Sequence, residues 1–466
     1  MLSYASLLEE KEIEEEEKLF HSTSSLVCDD CKQPMVNESL LDTIIYENAP
    51  GFIKEEETKV EDDLESLLKQ LMNSLDYELL DDFLITHRGF VSSDTLLRLL
   101  LMHFKEAFRQ GNDLLKVRLF VILKTWMGRF AGEDFRPSSG RLSLLERELD
   151  EVWRVQRCMS DSDRNIMQKL ERVIWEARSH SEVKDSGSCS IKEEGKLERS
   201  LSDKLKSLFI GRQSARDEDA NVFLDDSTST TNTTALSELS GSKKLNLLKT
   251  SVEEFSMLLT AIDSQYFTRL NWLDLVTFPK INDADGLEES LVQRVIDHFN
   301  QVCRFLVSRL LEAPDERKRL KLLVKYVHTA HYLYEAVHNM NGMMAVVLAL
   351  QNPAVESLTS VWEQLGSKEL VMWTSLLRLA SPLRSFQKVR EEQNSRPGIP
   401  FIGLLLSDLM GLSEKTEAPA GVIKFEEWRM VAAKLKQFHG MQQCWSFKAK
   451  VDNQKLKTLW NQIYLQ

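Results

Sequence analysis

Cysteine and histidine, which often bind metals or act in catalysis, are few and widely spaced in this 466-residue chain. Cys28 and Cys31 form a Cys-x-x-Cys pair, but no second ligand pair follows at the spacing of a zinc site. His328 and His331 lie three apart on a predicted helix, without the HExxH pattern of a metalloprotease. The chain also lacks a GxxxxGK(S/T) phosphate loop and a GxSxG nucleophile motif. We therefore expect no metal site, no cofactor and no covalent chemistry.

A different pattern stands out in residues 399–430, which read IPFIGLLLSDLMGLSEKTEAPAGVIKFEEWRM. An apolar run passes into an acidic segment broken by Pro419 and Gly421, and apolar residues then return at helical spacing. The pattern predicts two antiparallel helices with a turn between them. Met410 and Glu414 are four residues apart, so they share one face if the first helix continues through Gly411. By default such residues are a core methionine and a solvated glutamate.

Helical periodicity extends over most of the rest of the chain. It predicts a helical domain at residues 57–178, in which Ser92 or Ser93 caps a helix, and a second helical domain at residues 248–466. Residues 1–56 are acidic and are expected to be partly disordered, and residues 179–247 are rich in Ser, Thr, Asp and Gly and predict a flexible linker. The Asn341-Gly342 pair is expected to end one helix before a buried helix begins at Met343. We find no alternating strand pattern, so the fold class is all-α.

The charge and hydropathy of the chain exclude several classes of function. The net charge of −13 argues against nucleic-acid binding, which needs Lys and Arg to displace counterions. No apolar run reaches the roughly 18 residues that span a bilayer. The six scattered cysteines and the acidic N-terminus predict a cytoplasmic protein. A protein partner fits these properties best.

Five blocks of sequence, taken in order, resemble the catalytic domain of the Ras-type guanine-nucleotide exchange factors. These blocks are SQYFTRLNWLDL (264–275), HFNQVCRFLVSRLL (298–311), the run from KYVHTAHY to SVWEQL (325–365), IPFIGLLLSDL (399–409) and IKFEEWRM (423–430). Upstream, DDLESLLKQLMNSLDYELLDDFLITHRGFVSSDTLLRLLL resembles the Ras-exchanger motif of the same family. The resemblance covers about residues 57–177 and 251–465. It implies an all-helical exchanger-motif domain followed by a catalytic domain with a protruding hairpin.

The resemblance implies a mechanism by differential binding, without a general base or a nucleophile. In the family, the hairpin displaces a switch segment of a small GTPase and thereby releases GDP. Alignment places Met410 where an apolar side chain would exclude Mg²⁺, and Glu414 where a carboxylate would repel phosphate. The resemblance also implies partner contacts through Gln351, Asn352, Phe401, Leu406 and Ser407. The exchanger motif is expected to hold the hairpin in position, and recruitment to membranes would come through the GTPase.

Three departures from the family pattern keep an alternative open. Gln351 stands where the family usually has an asparagine, Gly411 lies inside the first arm, and the return arm reads KFEEWR in place of a more basic run. Gly within a helix costs about 1 kcal/mol relative to Ala. The alternative is a protein that keeps the fold and binds a GTPase, or acts as a scaffold, without promoting exchange. Asn300, Asn339 and Asn341 are expected to support helix ends and core geometry.

Overall fold

The computed structural model of this chain describes residues 63–74, 76–136, 139–155, 159–185, 245–281, 290–447 and 449–464. Within these residues the regular elements are helices and no strand occurs, which confirms the all-α class. The N-terminal helices are α1 (Leu64–Asn73), α2 (Tyr77–Thr86), α3 (Ser93–Gln110), α4 (Asp113–Asp134), α5 (Arg141–Val155) and α6 (Asp161–Asp185). Helix α6 therefore runs past residue 179, where the sequence predicted the linker to begin. The acidic N-terminal region and residues 186–244 lie outside the described part.

Side-chain caps fix where these N-terminal helices begin. Asp63, Asp76, Ser92 and Asn112 each accept a hydrogen bond from a backbone N–H in the first turn of the helix that follows. Each cap satisfies one of the N–H groups that a helix start leaves without a partner. Helix α3 ends at Gly111, whose φ of 68° lies in the left-handed region that glycine adopts without strain. The sequence did not decide between Ser92 and Ser93 as the cap of α3, and in the structure the cap is Ser92.

The second part of the chain is a larger helical body. Its helices are α7 (Val252–Arg269), α8 (Trp272–Ile281), α9 (Leu291–Leu311), α10 (Glu316–Tyr332), α11 (Met340–Leu350), α12 (Pro353–Glu356), α13 (Thr359–Trp362), α14 (Ser367–Leu379), α15 (Leu383–Ser395), α16 (Ile402–Thr416), α17 (Phe425–Cys444) and α18 (Asn453–Tyr464). Helix α11 is buried on nearly all sides between α9, α10 and α7. A helix that is apolar all round belongs in a core.

The corner before α11 differs from the sequence expectation. The preceding helical segment ends at Val337, and His338 adopts a left-handed conformation with a φ of 57°. Asn339 then caps α11 by accepting from the N–H of Gly342 at 2.8 Å, so the Asn341-Gly342 pair lies inside the first turn of α11. The prediction that this pair ends a helix is therefore wrong. A Cβ on Gly342 would lie 2.8 Å from Nδ2 of Asn339, so close packing explains the glycine.

A left-handed turn of three residues opens α15. Arg384, Ser385 and Phe386 have φ values of 51°, 55° and 59°, although none of them is glycine. A non-glycine residue in this region carries a steric cost of roughly 1–2 kcal/mol. The turn directs the ring of Phe386 against Phe401, with the ring centroids 6.3 Å apart. The packing of Phe386 in the core offsets part of the backbone strain.

No helix among the described residues is both long enough and apolar enough to cross a bilayer.

Candidate functional site: a two-helix hairpin

Helices α16 and α17 form the predicted hairpin, and they pack against each other. Helix α16 is continuous from Ile402 to Thr416, so Gly411 does not interrupt it. The tip contains Gly421, whose φ of 87° requires a residue without a Cβ, and Lys424 donates to the backbone oxygen of Glu417 at 2.5 Å. Residues Ile423, Phe425 and Trp428 of the return arm are buried, as their helical spacing predicts.

Met410 and Glu414 occupy successive turns of α16, near its end. The side chain of Met410 is half-buried and packs against the edge of the core, whereas that of Glu414 is exposed. Residues four apart in a helix lie on the same face, about one turn from each other. The arm therefore carries an exposed carboxylate one turn from a partly exposed methionine.

Phe401, Leu406 and Ser407 are buried, each with 0% of its surface exposed. The ring of Phe401 packs on Phe299 of α9 with centroids 5.6 Å apart, at the base of the hairpin. The hydroxyl of Ser407 has no hydrogen-bond partner in the structure. In this conformation the three side chains support the packing of α16, and direct contact of any of them with a partner stays a prediction.

Gln351 and Asn352 lie at the far end of α11 from the hairpin base. Both are half-buried, and Asn352 caps the short helix α12 by accepting from the N–H of Ala354 at 3.0 Å. Since α11 has 11 residues, it separates Gln351 from Met340, beside the hairpin base, by about 16 Å along its axis. The structure therefore places these two residues on the helical body and not on the hairpin.

An ion cluster links the two arms of the hairpin to α15. Arg390 forms a two-pronged pair with Asp408 of α16, in which Nη1 and Nη2 each donate at 2.7 Å. Lys434 of α17 approaches the same carboxylate at 2.9 Å. The Asp408 side chain is only 11% exposed, so these contacts are formed largely away from water. Paired hydrogen bonds of this kind fix orientation as well as distance.

The return arm α17 packs against the N-terminal helices through an aromatic cluster. Phe425 contacts Phe83 and Phe90, at centroid distances of 6.1 and 6.3 Å, and Trp428 contacts Phe90 at 5.6 Å. Gly89 lies directly against Trp428, because a Cβ built there would be 2.0 Å from the indole ring. Trp428, one of the residues by which this return arm departs from the family pattern, therefore packs against Gly89 of the N-terminal domain.

Charged side chains continue the same interface. Asp82 of α2, whose side chain is 7% exposed, accepts from Arg429 Nε at 3.1 Å and from Lys436 Nζ at 2.6 Å. Asp81 pairs with Lys436 at 2.9 Å and also with Arg129 of α4. The hydrogen bond to Asp82 is the main reason that the pKa of Arg429 is raised above its usual value. Hydrophobic and ionic contacts thus join the N-terminal domain to residues 425–436 of α17.

The other chemical motifs of the sequence do not form a metal site in the described residues, where no three His, Cys, Asp or Glu side chains come together. His328 lies 3.0 Å from Oε1 of Glu369, and this hydrogen bond is the main cause of a lowered Glu369 pKa. The acidic partner of His328 was not expected from the sequence. Cys28 and Cys31 lie outside the described residues.

The ion pairs that hold the hairpin do not follow from the sequence pattern. Asp82 and Arg429 are 347 positions apart, and Arg390 and Asp408 are 18 apart in different helices. Helical periodicity identifies which face of a helix is buried, but it does not identify the helix that covers it. A buried aspartate on an otherwise apolar face of α2 was the one signal available, since such a group needs a partner.

Comparison with known proteins agrees with this geometry. The RasGEF domain family matches residues 254–429, and the RasGEF N-terminal motif matches residues 61–147. The chain is 28% identical over 208 residues to Rap guanine nucleotide exchange factor 3 of Rattus norvegicus, covering 43% of this chain and 22% of that protein. It is 23% identical over 249 residues to Rap guanine nucleotide exchange factor 5 of Mus musculus, covering 52% and 30%. It is 24% identical over 156 residues to Ras-specific guanine nucleotide-releasing factor 2 of Mus musculus, covering 33% and 13%. The matches span less than a third of each of these relatives.

Proposed function

The chain belongs to the family of Ras-type guanine-nucleotide exchange factors, and from this premise we propose that it promotes GDP release from a small GTPase of the Ras subfamily. The observation that supports the proposal is that Glu414 is exposed and Met410 half-buried one turn apart on α16, an arm whose base is braced by the pair between Arg390 and Asp408. No acid, base or nucleophile is required for this activity. The hairpin needs only to bind the GTPase more tightly when its nucleotide site is empty or distorted.

The two side chains would act by different physical effects. Met410 would fill space beside the nucleotide site and exclude the hydrated Mg²⁺ that holds GDP. Glu414 would place a negative charge near the α-phosphate, and two like charges repel strongly where water is excluded. A ligand shifts an equilibrium only by its difference in affinity between the two states. These contacts must therefore stabilise the nucleotide-free state of the GTPase more than its GDP-bound state.

The N-terminal domain would brace the tip-side part of the return arm. Trp428 packs against Gly89, and Asp82 pairs with Arg429 and Lys436, so residues 425–436 of α17 are held to the N-terminal helices. A preformed hairpin pays less conformational entropy when it enters a partner than a mobile one would. We therefore expect loss of this interface to lower the rate of nucleotide release.

The proposal is tested by the release of a fluorescent GDP analogue from Ras, Rap and Ral proteins. The relatives' names justify the first two choices, since they include both Rap and Ras exchange factors. The wild-type chain should accelerate release from at least one of these GTPases. Met410→Ala and Glu414→Ala should each lower that rate by about tenfold or more, which corresponds to about 1.4 kcal/mol of lost differential binding.

Matched controls separate the hairpin from general effects of substitution. Met102→Ala removes an exposed methionine, and Glu151→Ala removes an exposed glutamate, both from the N-terminal domain. Both control variants should retain the wild-type rate. Equal release rates for all four variants would contradict the roles proposed for Met410 and Glu414.

The alternative function is GTPase binding without exchange, or a scaffold built on the same fold. Gln351 at the position where the family usually has an asparagine is the observation that favours it. A stable complex with a nucleotide-free GTPase, formed without faster GDP release, would support the non-catalytic binding protein. Failure to bind any nucleotide-free GTPase would support the scaffold.

A further inference from the structure

Helix α7 is linked to both ends of the hairpin, directly at the exit and through Asn339 at the entry. Asp263 accepts a hydrogen bond from Asn339, whose neighbours His338 and Met340 pair with Ile399 ahead of α16, whereas the backbone oxygens of Phe267 and Leu270 accept from Gln442 near the end of α17. Helix α7 belongs to the helical body and not to the hairpin. One element of the body therefore holds the exit of the hairpin directly and its entry through Asn339.

The exit of the hairpin is held by Gln442. Its Nε2 atom donates to two backbone oxygens of this segment, Phe267 at 2.6 Å and Leu270 at 2.8 Å. The last carbonyl groups of a helix have no partner within the helix, so the Gln442 amide satisfies one of them, at Phe267, and the carbonyl of Leu270, the residue that follows the helix. His439 Nδ1 lies 3.2 Å from Gln442 Oε1 and helps to orient the amide.

Aromatic contacts reinforce the exit. The ring of Phe267 packs between Phe438 and Trp445, at centroid distances of 5.3 and 6.4 Å. The indole Nε1 of Trp445 donates to Ser264 Oγ at 2.9 Å. The end of α17 and the residue after it are therefore fixed to α7 by edge-to-face ring contacts and by hydrogen bonds.

The entry of the hairpin is held by Asp263. Its Oδ2 atom accepts from Asn339 Nδ2 at 2.7 Å, in a site where both residues are buried. The backbone beside Asn339 pairs with Ile399, because Met340 N donates to Ile399 O and Ile399 N donates to His338 O, both at 2.9 Å. Ile399 lies three residues before α16 begins.

The C-terminal helix α18 supports this end of α7 from outside. The hydroxyl of Tyr464 lies 2.6 Å from His298 Nδ1 and 3.0 Å from the hydroxyl of Tyr266, and His298 Nε2 lies 3.0 Å from Asp263 Oδ1. Asp263 therefore has buried partners on both of its oxygens.

We infer that the Asp263–Leu270 segment is a two-ended clamp that sets the angle of the hairpin, with Gln442 as the positioning residue at its exit. Helix α17 has 20 residues and is about 30 Å long, so a tilt of about 5° at Gln442 moves its other end by roughly 2.5 Å. A misplacement of about 1 Å at a reacting centre can cost about 100-fold in rate. The inference rests on the proposed exchange function. Gln442, Trp445 and Tyr464 also lie beyond residue 429, where the match to the RasGEF domain ends.

The test replaces Gln442 by two charged residues of similar reach. Gln442→Glu keeps the size but removes both donated hydrogen bonds, whereas Gln442→Lys restores a donor opposite the negative end of α7. The control is Gln443→Glu, a neighbouring exposed glutamine whose amide reaches the ring of His439 rather than α7. It introduces the same charge on the same helix as Gln442→Glu.

Saturation kinetics of fluorescent GDP release separate positioning from stability. Gln442→Glu should lower the maximal release rate by about tenfold, with the half-saturating GTPase concentration changed by less than about threefold. Gln442→Lys and Gln443→Glu should stay within about threefold of wild type in both quantities. An unchanged maximal rate for Gln442→Glu, or an equal loss in Gln442→Lys, would overturn the inference.

Hydrogen exchange of the full chain provides a readout that needs no GTPase. Amides of residues 425–444 should exchange faster in Gln442→Glu than in Gln443→Glu, while amides of α9 and α11 stay unchanged. Unaltered exchange in α17 would rule out the clamp even if the wild-type chain proved inactive toward every GTPase. Inactivity of the wild-type chain with altered exchange in α17 would instead refute the proposed function alone.

A milder pair of variants guards against loss of folding. Trp445→Phe removes the indole donor but keeps an aromatic ring, and Ser264→Ala removes its acceptor. Each single variant and the double variant should lower the maximal release rate by the same two- to fivefold factor, since all three delete one shared hydrogen bond. Independent, multiplying losses would contradict the clamp at this contact.

Discussion

Asp82 Oδ2 lies 3.1 Å from Arg429 Nε, which joins the N-terminal domain to the return arm of the hairpin across 347 positions of sequence. The variant Asp82→Asn keeps the shape of the side chain but removes its charge from Arg429 and Lys436. We expect it to lower the free energy of unfolding by about 1–2 kcal/mol, because both cations are partly exposed and the pairs are screened. It should also lower the GDP release rate several-fold, by loosening residues 425–436 of α17.

Ionic strength distinguishes this interface from the aromatic contacts beside it. The release rate of the wild-type chain should fall as salt is raised from about 0.05 to 0.5 M, since the Debye length shortens over that range. The rate of Asp82→Asn should fall less steeply. Glu426→Gln is the control, because Glu426 contacts Arg429 at 3.4 Å with a side chain that is 74% exposed. A salt response identical in Asp82→Asn and wild type would exclude an ionic contribution.

The contact between Gly89 and Trp428 predicts a steric effect at the same interface. A Cβ at residue 89 would lie 2.0 Å from the Trp428 ring, so Gly89→Ala must displace the indole or the backbone. Overpacking of this kind costs about 1–3 kcal/mol. Thermal unfolding should show a lower midpoint, and fluorescent GDP release should be slower.

Gly128→Ala is the matched control for that substitution. Gly128 lies within α4, and a Cβ there would meet nothing within 4 Å. Alanine is the better helix former, so this variant should be as stable as wild type or up to about 1 kcal/mol more stable. Adding Trp428→Leu to Gly89→Ala should recover part of the loss. A Gly89→Ala protein as stable and active as Gly128→Ala would disprove the close contact.

The two-pronged pair between Arg390 and Asp408 predicts that lysine cannot replace arginine. Arg390→Lys retains the charge but loses the planar fork, and Arg390→Ala leaves the largely buried Asp408 with Lys434 as its cation. We expect losses of unfolding free energy of about 1 kcal/mol for lysine and about 2–3 kcal/mol for alanine. Chemical denaturation measures both, with Arg378→Ala as an exposed control. Equal stability of the lysine variant and wild type would show that charge alone suffices.

His87 gives the N-terminal domain a pH-dependent stability. Burial, followed by the nearby Arg88, lowers the pKa of His87 to about 4 from 6.5, and its Nδ1 atom lies 2.9 Å from the carbonyl oxygen of Leu84. Between these values the unfolded chain binds a proton that the folded chain does not, so stability falls as the pH drops from about 7 to about 4. The contribution is at most about 3 kcal/mol.

Denaturant unfolding of wild type and His87→Gln across that pH range tests the assignment. Carboxylates titrate in both proteins, so the difference between the two curves isolates His87. That difference should favour wild type most near pH 7 and shrink toward pH 4. A constant difference would mean that another group carries the pH dependence.

The sequence predicted the fold class and the existence of the hairpin because both depend on local spacing. The cap at Ser92 and the buried Phe425 and Trp428 follow from helical periodicity and propensity alone. The corner at His338 was not predictable in this way, since the chain uses a left-handed histidine where the sequence offers Asn341-Gly342 as the conventional stop. Tertiary hydrogen bonds from Asn339 to Asp263 outweigh the local preference there.

The candidate site was predicted less completely than the fold. A motif alignment indicates where a residue lies along α16 but not how deeply its side chain is buried. It therefore placed the buried Leu406 and Ser407 in the candidate site together with the exposed Glu414. The burial of each side chain depends on how α16 packs against the neighbouring helices. Likewise, nothing in the sequence connects Gln442 to carbonyl groups more than 170 positions away.

The left-handed turn at Arg384–Phe386 reverses a common rule of protein engineering. Introducing glycine usually weakens an ordered segment, because the unfolded chain gains freedom. Ser385 is exposed, and its backbone already adopts a left-handed conformation that suits glycine. Replacing Ser385 by glycine should therefore relieve more strain in the folded state than it adds entropy to the unfolded chain. A randomised library selected for thermostability should therefore enrich glycine at this position, and deplete valine and isoleucine.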